Sequence, residues 1–166
     1  MSPARLIATF FGIGLLRPAP GTWGSAAAIP PAYLLHATLG FPGFLLATAA
    51  VFLIGWWATA AATRGKADHD PSEIVIDEVA GQWVALLPVS AGLWHAGVDP
   101  WLFPWPGWLT AFLMFRLFDI WKPGPVGRAD RLHTPLGVML DDIVAGVMAG
   151  IVVMLAAGFA HGVLGL

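Results

Sequence analysis

Between Arg17 and Arg64 the chain runs for 46 residues without one Asp, Glu, Lys or Arg. Water cannot accommodate so long an uncharged stretch at a domain surface, but a bilayer can. A hydrocarbon core of roughly 30 Å takes about 20 helical residues per crossing. The stretch therefore reads as two crossings, divided by the turn signal Gly40-Phe41-Pro42-Gly43. Further charge-free gaps have similar dimensions: 20 residues between Glu78 and Asp99, 16 between Asp99 and Arg116, and 24 from Ile143 to Leu166. Apolar segments are expected near 23–39, 43–63, 79–98, 102–118 and 143–163. The expected fold is thus an all-α polytopic membrane bundle of about four to five such segments, one unit over residues 1–166. Pro30-Pro31 and His36 mark the first segment as kinked or partly inserted. Pro100, Pro104 and Pro106 place the clean start of the fourth helix near Trp108.

Composition agrees. Charged residues make up 11% of the chain and mean hydropathy is +0.76, against about 25% charged in a soluble domain. An ordinary cytosolic enzyme and a disordered chain are both excluded. A net charge of −2 offers no basic field for nucleic acid. The absence of cysteine removes disulfides, thiolate metal sites and cysteine-phosphatase chemistry. The apolar start, Met1 to Arg17, lacks a small-residue cleavage site and is expected to stay, at the interface or packed on the bundle.

Five crossings would put Arg5, Arg17, Arg64, Lys66, Lys122, Arg128 and Arg131 on one side, with Arg116 just inside that boundary and no Lys or Arg opposite. The positive-inside rule makes that side cytoplasmic. Trp23, Trp83, Trp94, Trp101, Trp105, Trp108 and Trp121 are expected near the interfaces as an aromatic belt, whereas Trp56 and Trp57 do not fit it.

The same arrangement gathers nearly all carboxylates on the cytoplasmic side. Asp68 and Asp70, beside Lys66 and Pro71, read as a solvated loop. Asp77-Glu78, Asp119 and Asp141-Asp142 are different, because each stands at the edge of an apolar helix, where an unpaired carboxylate is expensive. The helix dipole contributes only about 0.3–1 kcal/mol to such a group. Two readings are open: a hard cation such as Mg2+, which takes carboxylate, phosphate and water oxygens, or interfacial ion pairing with Arg116, Lys122 and Arg131. Neighbouring helical residues point about 100° apart, so each acidic pair is expected to supply one inward ligand and one outer partner.

Pro20-Gly21-Thr22-Trp23-Gly24-Ser25 adds a flexible backbone, two hydroxyls and a helix start, the elements of an anion site, although it also reads as a turn with an N-cap. Lys122 and Arg128, around Pro123 and Pro125, either clamp a phosphate or meet anionic headgroups. His69 and His133 read more simply as solvated loop residues than as acid–base groups. The sum suits metal-assisted chemistry on a phosphate carried by a lipid.

Four strings carry a resemblance: Pro20 to Ser25 above, Asp70-Pro71-Ser72-Glu73-Ile74-Val75-Ile76-Asp77-Glu78-Val79-Ala80-Gly81-Gln82, Phe115-Arg116-Leu117-Phe118-Asp119-Ile120-Trp121-Lys122-Pro123, and Gly137-Val138-Met139-Leu140-Asp141-Asp142-Ile143-Val144-Ala145-Gly146. In order and spacing, over about residues 10–150, they resemble the phosphatidylglycerophosphatase A family. The resemblance implies a helical fold and Mg2+-dependent hydrolysis of phosphatidylglycerophosphate to phosphatidylglycerol and phosphate. It also implies a site at the cytoplasmic face of the bacterial inner membrane. Joined to the residue reading, it makes Asp77, Glu78, Asp119, Asp141 and Asp142 the metal-binding and catalytic carboxylates. Lys122 joins catalysis, and Thr22, Gly24, Ser25, Lys122, Arg128 and Arg131 become the phosphate-binding set. The alternatives are a membrane phospho-alcohol transferase, whose Asp-Gly and Asp-x3-Asp signature is missing, and a small ion transporter, which would place its acids near mid-membrane.

Overall fold

A computed structural model describes residues 1–66, 70–102 and 104–163, with backbone alone for 161–163. The described residues form helices and no strand: α1 (Pro3–Ala8), a 3-10 turn (Ile13–Leu15), α2 (Pro20–Ala62), α3 (Ile76–Ala96), α4 (Trp105–Trp121), α5 (Pro125–Asp130) and α6 (Pro135–Val163). Prolines open most of them: Pro3, Pro20, Pro106, Pro125 and Pro135 all sit in a first turn, where the missing N–H has no intrahelical partner to lose. This explains two departures from the expectations above. Helix α4 begins at Trp105 rather than Trp108, and Pro125 starts a short helix where a proline-broken loop is expected. At α6, Thr134 supplies the cap, its Oγ1 accepting the Gly137 amide at 3.0 Å.

Helix α2 passes through Pro30 and Pro31 with helical backbone, and its one interior break is Gly40, at φ 65° and ψ −172°. The chain reverses there. Before the break, contacts with α3 climb together: Gly24 meets Val75, the Trp83 Nε1–H donates to the Ala28 carbonyl at 2.8 Å, His36 meets Ser90, and Gly40 meets Trp94. After it they descend, Phe44 meeting the Trp83 ring at a tilt and Gly55 lying against Ile76. Only glycine adopts this positive φ without strain, and a Cβ at Gly40 would lie 2.1 Å from the Trp94 ring.

Small residues fill the interior. Ala28, Ala32, Ala58, Ala80, Ala85, Ala111, Ala145 and Ala149 are buried, while Leu34, Leu46, Leu53, Ile54, Leu113, Ile151 and Leu155 face outward. Close backbone contact of small residues, beside a few large side chains such as Phe44, Trp108 and Phe115, takes the place of a leucine core, a packing also used between membrane helices. The tightest example joins α3 to α6, where a Cβ on Gly146 would stand 2.3 Å from the Gly81 carbonyl oxygen. Pro20–Ala62 and Pro135–Ala160 are long and apolar enough to cross a membrane. Of the tryptophans expected in the belt, Trp83 and Trp108 are instead buried, because each meets its neighbours inside the bundle; Trp56 and Trp57 are exposed among the outward leucines.

The N-terminal segment docks on the strand of chain that leads into α3. The Val75 amide donates to the Ala8 carbonyl at 2.9 Å, Arg5 pairs with Glu73 at 3.0 Å, and Gly14 packs against the Glu73 carbonyl. Residues 70–75 are thereby fixed at the end of the bundle where α2, α3 and α6 begin and α4 ends.

Candidate active site

At that end lies a cavity of about 230 Å3. Helices α3 and α6 run parallel, as shown by Gly81 against the Asp142 backbone and Gly150 against Pro88. Their acidic starts therefore sit side by side. Helix α4 is antiparallel to α3, with Gly107 near Val89 and Phe115 near Gly81, so its last turn delivers Arg116 and Asp119 to the same place.

The floor is made by Asp77, Glu78 and Asp142, whose nearest oxygens lie within 4.8 Å of one another. Asp77 and Asp142 are buried, at 6% and 2% exposure. Each of the three keeps a buried oxygen without a hydrogen-bond partner: Asp77 Oδ1, Glu78 Oε2 and Asp142 Oδ2. Buried polar atoms are ordinarily paired, and three facing carboxylates repel one another. Asp70, Asp119 and Asp141 also line the cavity, making six carboxylates against the two cations Arg116 and Lys122. A small oxygen-loving cation fits both the surplus charge and the open oxygens, and Asp77, Glu78 and Asp142 are the residues that could hold it.

The other two expected ligands are occupied differently. Asp141 accepts the Asp142 amide on Oδ1 at 3.0 Å and the Lys122 ammonium on Oδ2 at 2.9 Å. Asp119 forms an ion pair with Arg116 one turn earlier on α4. Lys122 caps α4 in the left-handed region (φ 49°, ψ 51°), turning its side chain back between Asp141 and Asp130, with which it also pairs. Burial works against its charge, but the hydrogen bonds to Asp130 and Asp141 outweigh that and push the ammonium above its usual pKa.

The glycine-rich start of α2 contributes through backbone approach. Gly21 and Pro20 line the cavity, and a Cβ on Gly21 would meet Glu78 Oε1 at 2.1 Å. Gly24 packs on Val75 instead. Ser25 is buried, its hydroxyl donating to the Gly21 carbonyl at 2.8 Å and accepting from Arg116 at 3.3 Å. Thr22 is half-buried and outside the lining, while Arg128 and Arg131 are exposed beyond it. Asp68 and His69 lie outside the described residues. His133 is exposed and absent from the lining.

Arg116, Asp70 and Ser72 line the site yet stand outside the expected set. Their signal was available: each belongs to one of the four quoted strings, and Arg116 precedes Asp119 by the three residues that put both on one helix face. Gln82, one turn after Glu78, is fully buried with both amide atoms unpartnered.

Residues 6–157 match the family model described as phosphatidylglycerophosphatase A. The chain belongs to that family. It is 38% identical over 154 residues to a phosphatidylglycerophosphatase A of Haemophilus influenzae, spanning 92% of this chain and 88% of that protein. A phosphatidylglycerophosphatase A of Escherichia coli is 36% identical over 166 residues, spanning 98% and 89%. A putative phosphatidylinositol-3-phosphatase of Bacteroides thetaiotaomicron is 36% identical over 157 residues, spanning 91% of each. No solved structure matches. As the family match covers nearly all of α1 to α6, the acidic cavity is a feature of a phosphatase family's chain, set among its four resembling strings.

Proposed function

We propose that this chain hydrolyses the terminal phosphomonoester of phosphatidylglycerophosphate, with Mg2+, at the cytoplasmic face of the bacterial inner membrane. The observation that carries the reading is the trio of open carboxylate oxygens in a cavity with six acids and two bases. The names of the relatives supply the substrate. Phosphatidylglycerophosphate and the inositol lipid named for the Bacteroides protein share a phosphomonoester carried beyond a phosphodiester. The two halves of α2 with α3, α4 and α6 would cross the bilayer as five passes, and the positive-inside count puts the acidic end in the cytoplasm. Arg128 and Arg131 then face the anionic headgroups.

Asp77, Glu78 and Asp142 would hold the metal, which when bound supplies charge neutralisation and a water of lowered pKa. Arg116 offers a buried Nε–H without a partner to a phosphoryl oxygen, while Asp119 and Ser25 keep its plane aimed. Lys122, steadied by Asp141 and Asp130, brings a second positive charge to the phosphoryl group. The bundle keeps the acyl chains in lipid. A water oxygen bonds to phosphorus, the bond from phosphorus to the glycerol oxygen breaks, and that oxygen takes a proton, giving phosphatidylglycerol and phosphate.

The test is phosphate release by purified protein, with Mg2+ and with chelator, in the presence and absence of a lipid alcohol acceptor. Mg2+-dependent release that ignores the acceptor is expected. Chelator-resistant release would overturn the metal assignment, and headgroup transfer to the acceptor would make the protein a phospho-alcohol transferase.

A further inference from the structure

We propose that Arg17 is a specificity-determining residue that takes the phosphodiester of the substrate while the terminal phosphomonoester occupies the acidic cavity. This rests on the lipid-phosphatase reading above. Such a substrate carries two phosphates joined by a glycerol bridge, so a monoester held on the cavity floor leaves the diester near the lip. The lip must then present a cation, or the second negative charge meets a wall of carboxylates.

The inner cations are already engaged. Arg116 serves Asp119 and Ser25, and Lys122 serves Asp130 and Asp141. At the N-terminal side, Arg5 is neutralised by Glu73. Arg17 differs from all three. It is exposed, and among the described residues no carboxylate forms an ion pair with it. Its Nη1 reaches the Ser72 hydroxyl at 3.3 Å, and Ser72 lines the cavity, as does Pro20 three residues further along the chain.

The backbone on both sides of Arg17 is constrained. The preceding 3-10 turn, Ile13–Leu15, is pressed to the α3 lead-in through Gly14, where a Cβ would stand 2.0 Å from the Glu73 carbonyl oxygen. Pro18 and Pro20 limit the backbone that follows. A guanidinium presents parallel N–H donors that match two phosphate oxygens, a geometry that an ammonium lacks. The neutral Ser72 hydroxyl holds the side chain without cancelling its charge.

The experiment compares wild type with Arg17→Gln, Arg17→Lys and Ser72→Ala in full-length protein. It measures kcat and KM for phosphatidylglycerophosphate, the inhibition constant of inorganic phosphate and the melting midpoint. Inorganic phosphate probes the cavity without a diester. Arg17→Gln should raise KM by about tenfold, the scale of one partly solvated charged hydrogen bond, with kcat, phosphate inhibition and melting unchanged. Arg17→Lys should recover part of the loss. Ser72→Ala, which removes the hydroxyl that holds the guanidinium, should raise KM by a smaller factor than Arg17→Gln. An unchanged KM in Arg17→Gln, or a rise matched by weaker phosphate inhibition or a lower melting midpoint, would overturn the assignment. Wild-type protein that releases no phosphate at all would sink the parent reading instead.

Discussion

The same helices end in two different chemistries. At the far end, where α2 reverses, most polar side chains have neutral partners, although His36 Nε2 is left without one. His36 Nδ1 and the Ser90 hydroxyl share a hydrogen bond of 2.8 Å, the Tyr33 hydroxyl donates to the Trp101 carbonyl at 2.6 Å, and Asp99 accepts the Trp101 amide at 2.9 Å. A cavity of about 190 Å3 there is lined mainly by apolar groups, with His36, Leu93 and Trp94 among them. At the acidic end the pairing is left incomplete: Asp141, Asp119 and Lys122 are paired, but Arg116 keeps an unpartnered Nε–H and each carboxylate of the floor an unpartnered oxygen. Single unpartnered atoms occur elsewhere, as at His36 Nε2 and Thr59 Oγ1, but three neighbouring carboxylates that each keep an open oxygen mark this end as the candidate site.

The strongest way to break this contrast is to neutralise the floor. Asp77→Asn or Asp142→Asn should lower phosphate release by roughly 100- to 1,000-fold, the scale of losing one preorganised electrostatic group, while helix content by circular dichroism stays at wild type. Near-normal turnover in both would remove the floor from the chemistry. Lys122→Met probes the matched part of the same end. It should cost about 10- to 100-fold, as loss of a supporting partner does, measured as kcat at saturating lipid. The smallest effect belongs to the far end. His36→Leu should leave turnover within about twofold but lower stability by about 1–3 kcal/mol, since the Ser90 hydroxyl loses its buried partner. Adding Ser90→Ala should return most of that stability in thermal melts. A large activity loss in His36→Leu would join the two ends functionally and end the comparison.

Much of this was readable in the chain. Charge-free gaps announce apolar helices, and Gly40-Phe41-Pro42-Gly43 announces the reversal, because no other local chemistry tolerates that backbone. The acidic residues were legible as a set, but their division was not. The expected division of each pair into an inward residue and an outer-shell or basic partner describes Asp142, on the floor, and Asp141, beside it in the lining and paired with Lys122. It fails for Asp77 and Glu78, which flank a groove between neighbouring helices and both turn into it. Spacing gives angles around one helix; which neighbour stands at each angle is decided by packing, here by Gly81 against α6 and Gly21 against Glu78. Arg116 was legible as an ion-pair partner of the acids but not as part of the lining, for the same reason. Its i,i+3 partner is local, but its reach to Ser25 joins residues far apart in sequence.

The floor takes Asp77 and Glu78 from the middle of the chain and Asp142 from its final helix. During synthesis, therefore, the earlier helices emerge before the centre can be finished. Only when α6 seats its glycines against α3 does the third acid arrive. A chain stopped before Asp142 would lack both the third acid and the helix against which α3 packs through Gly81 and Gly146.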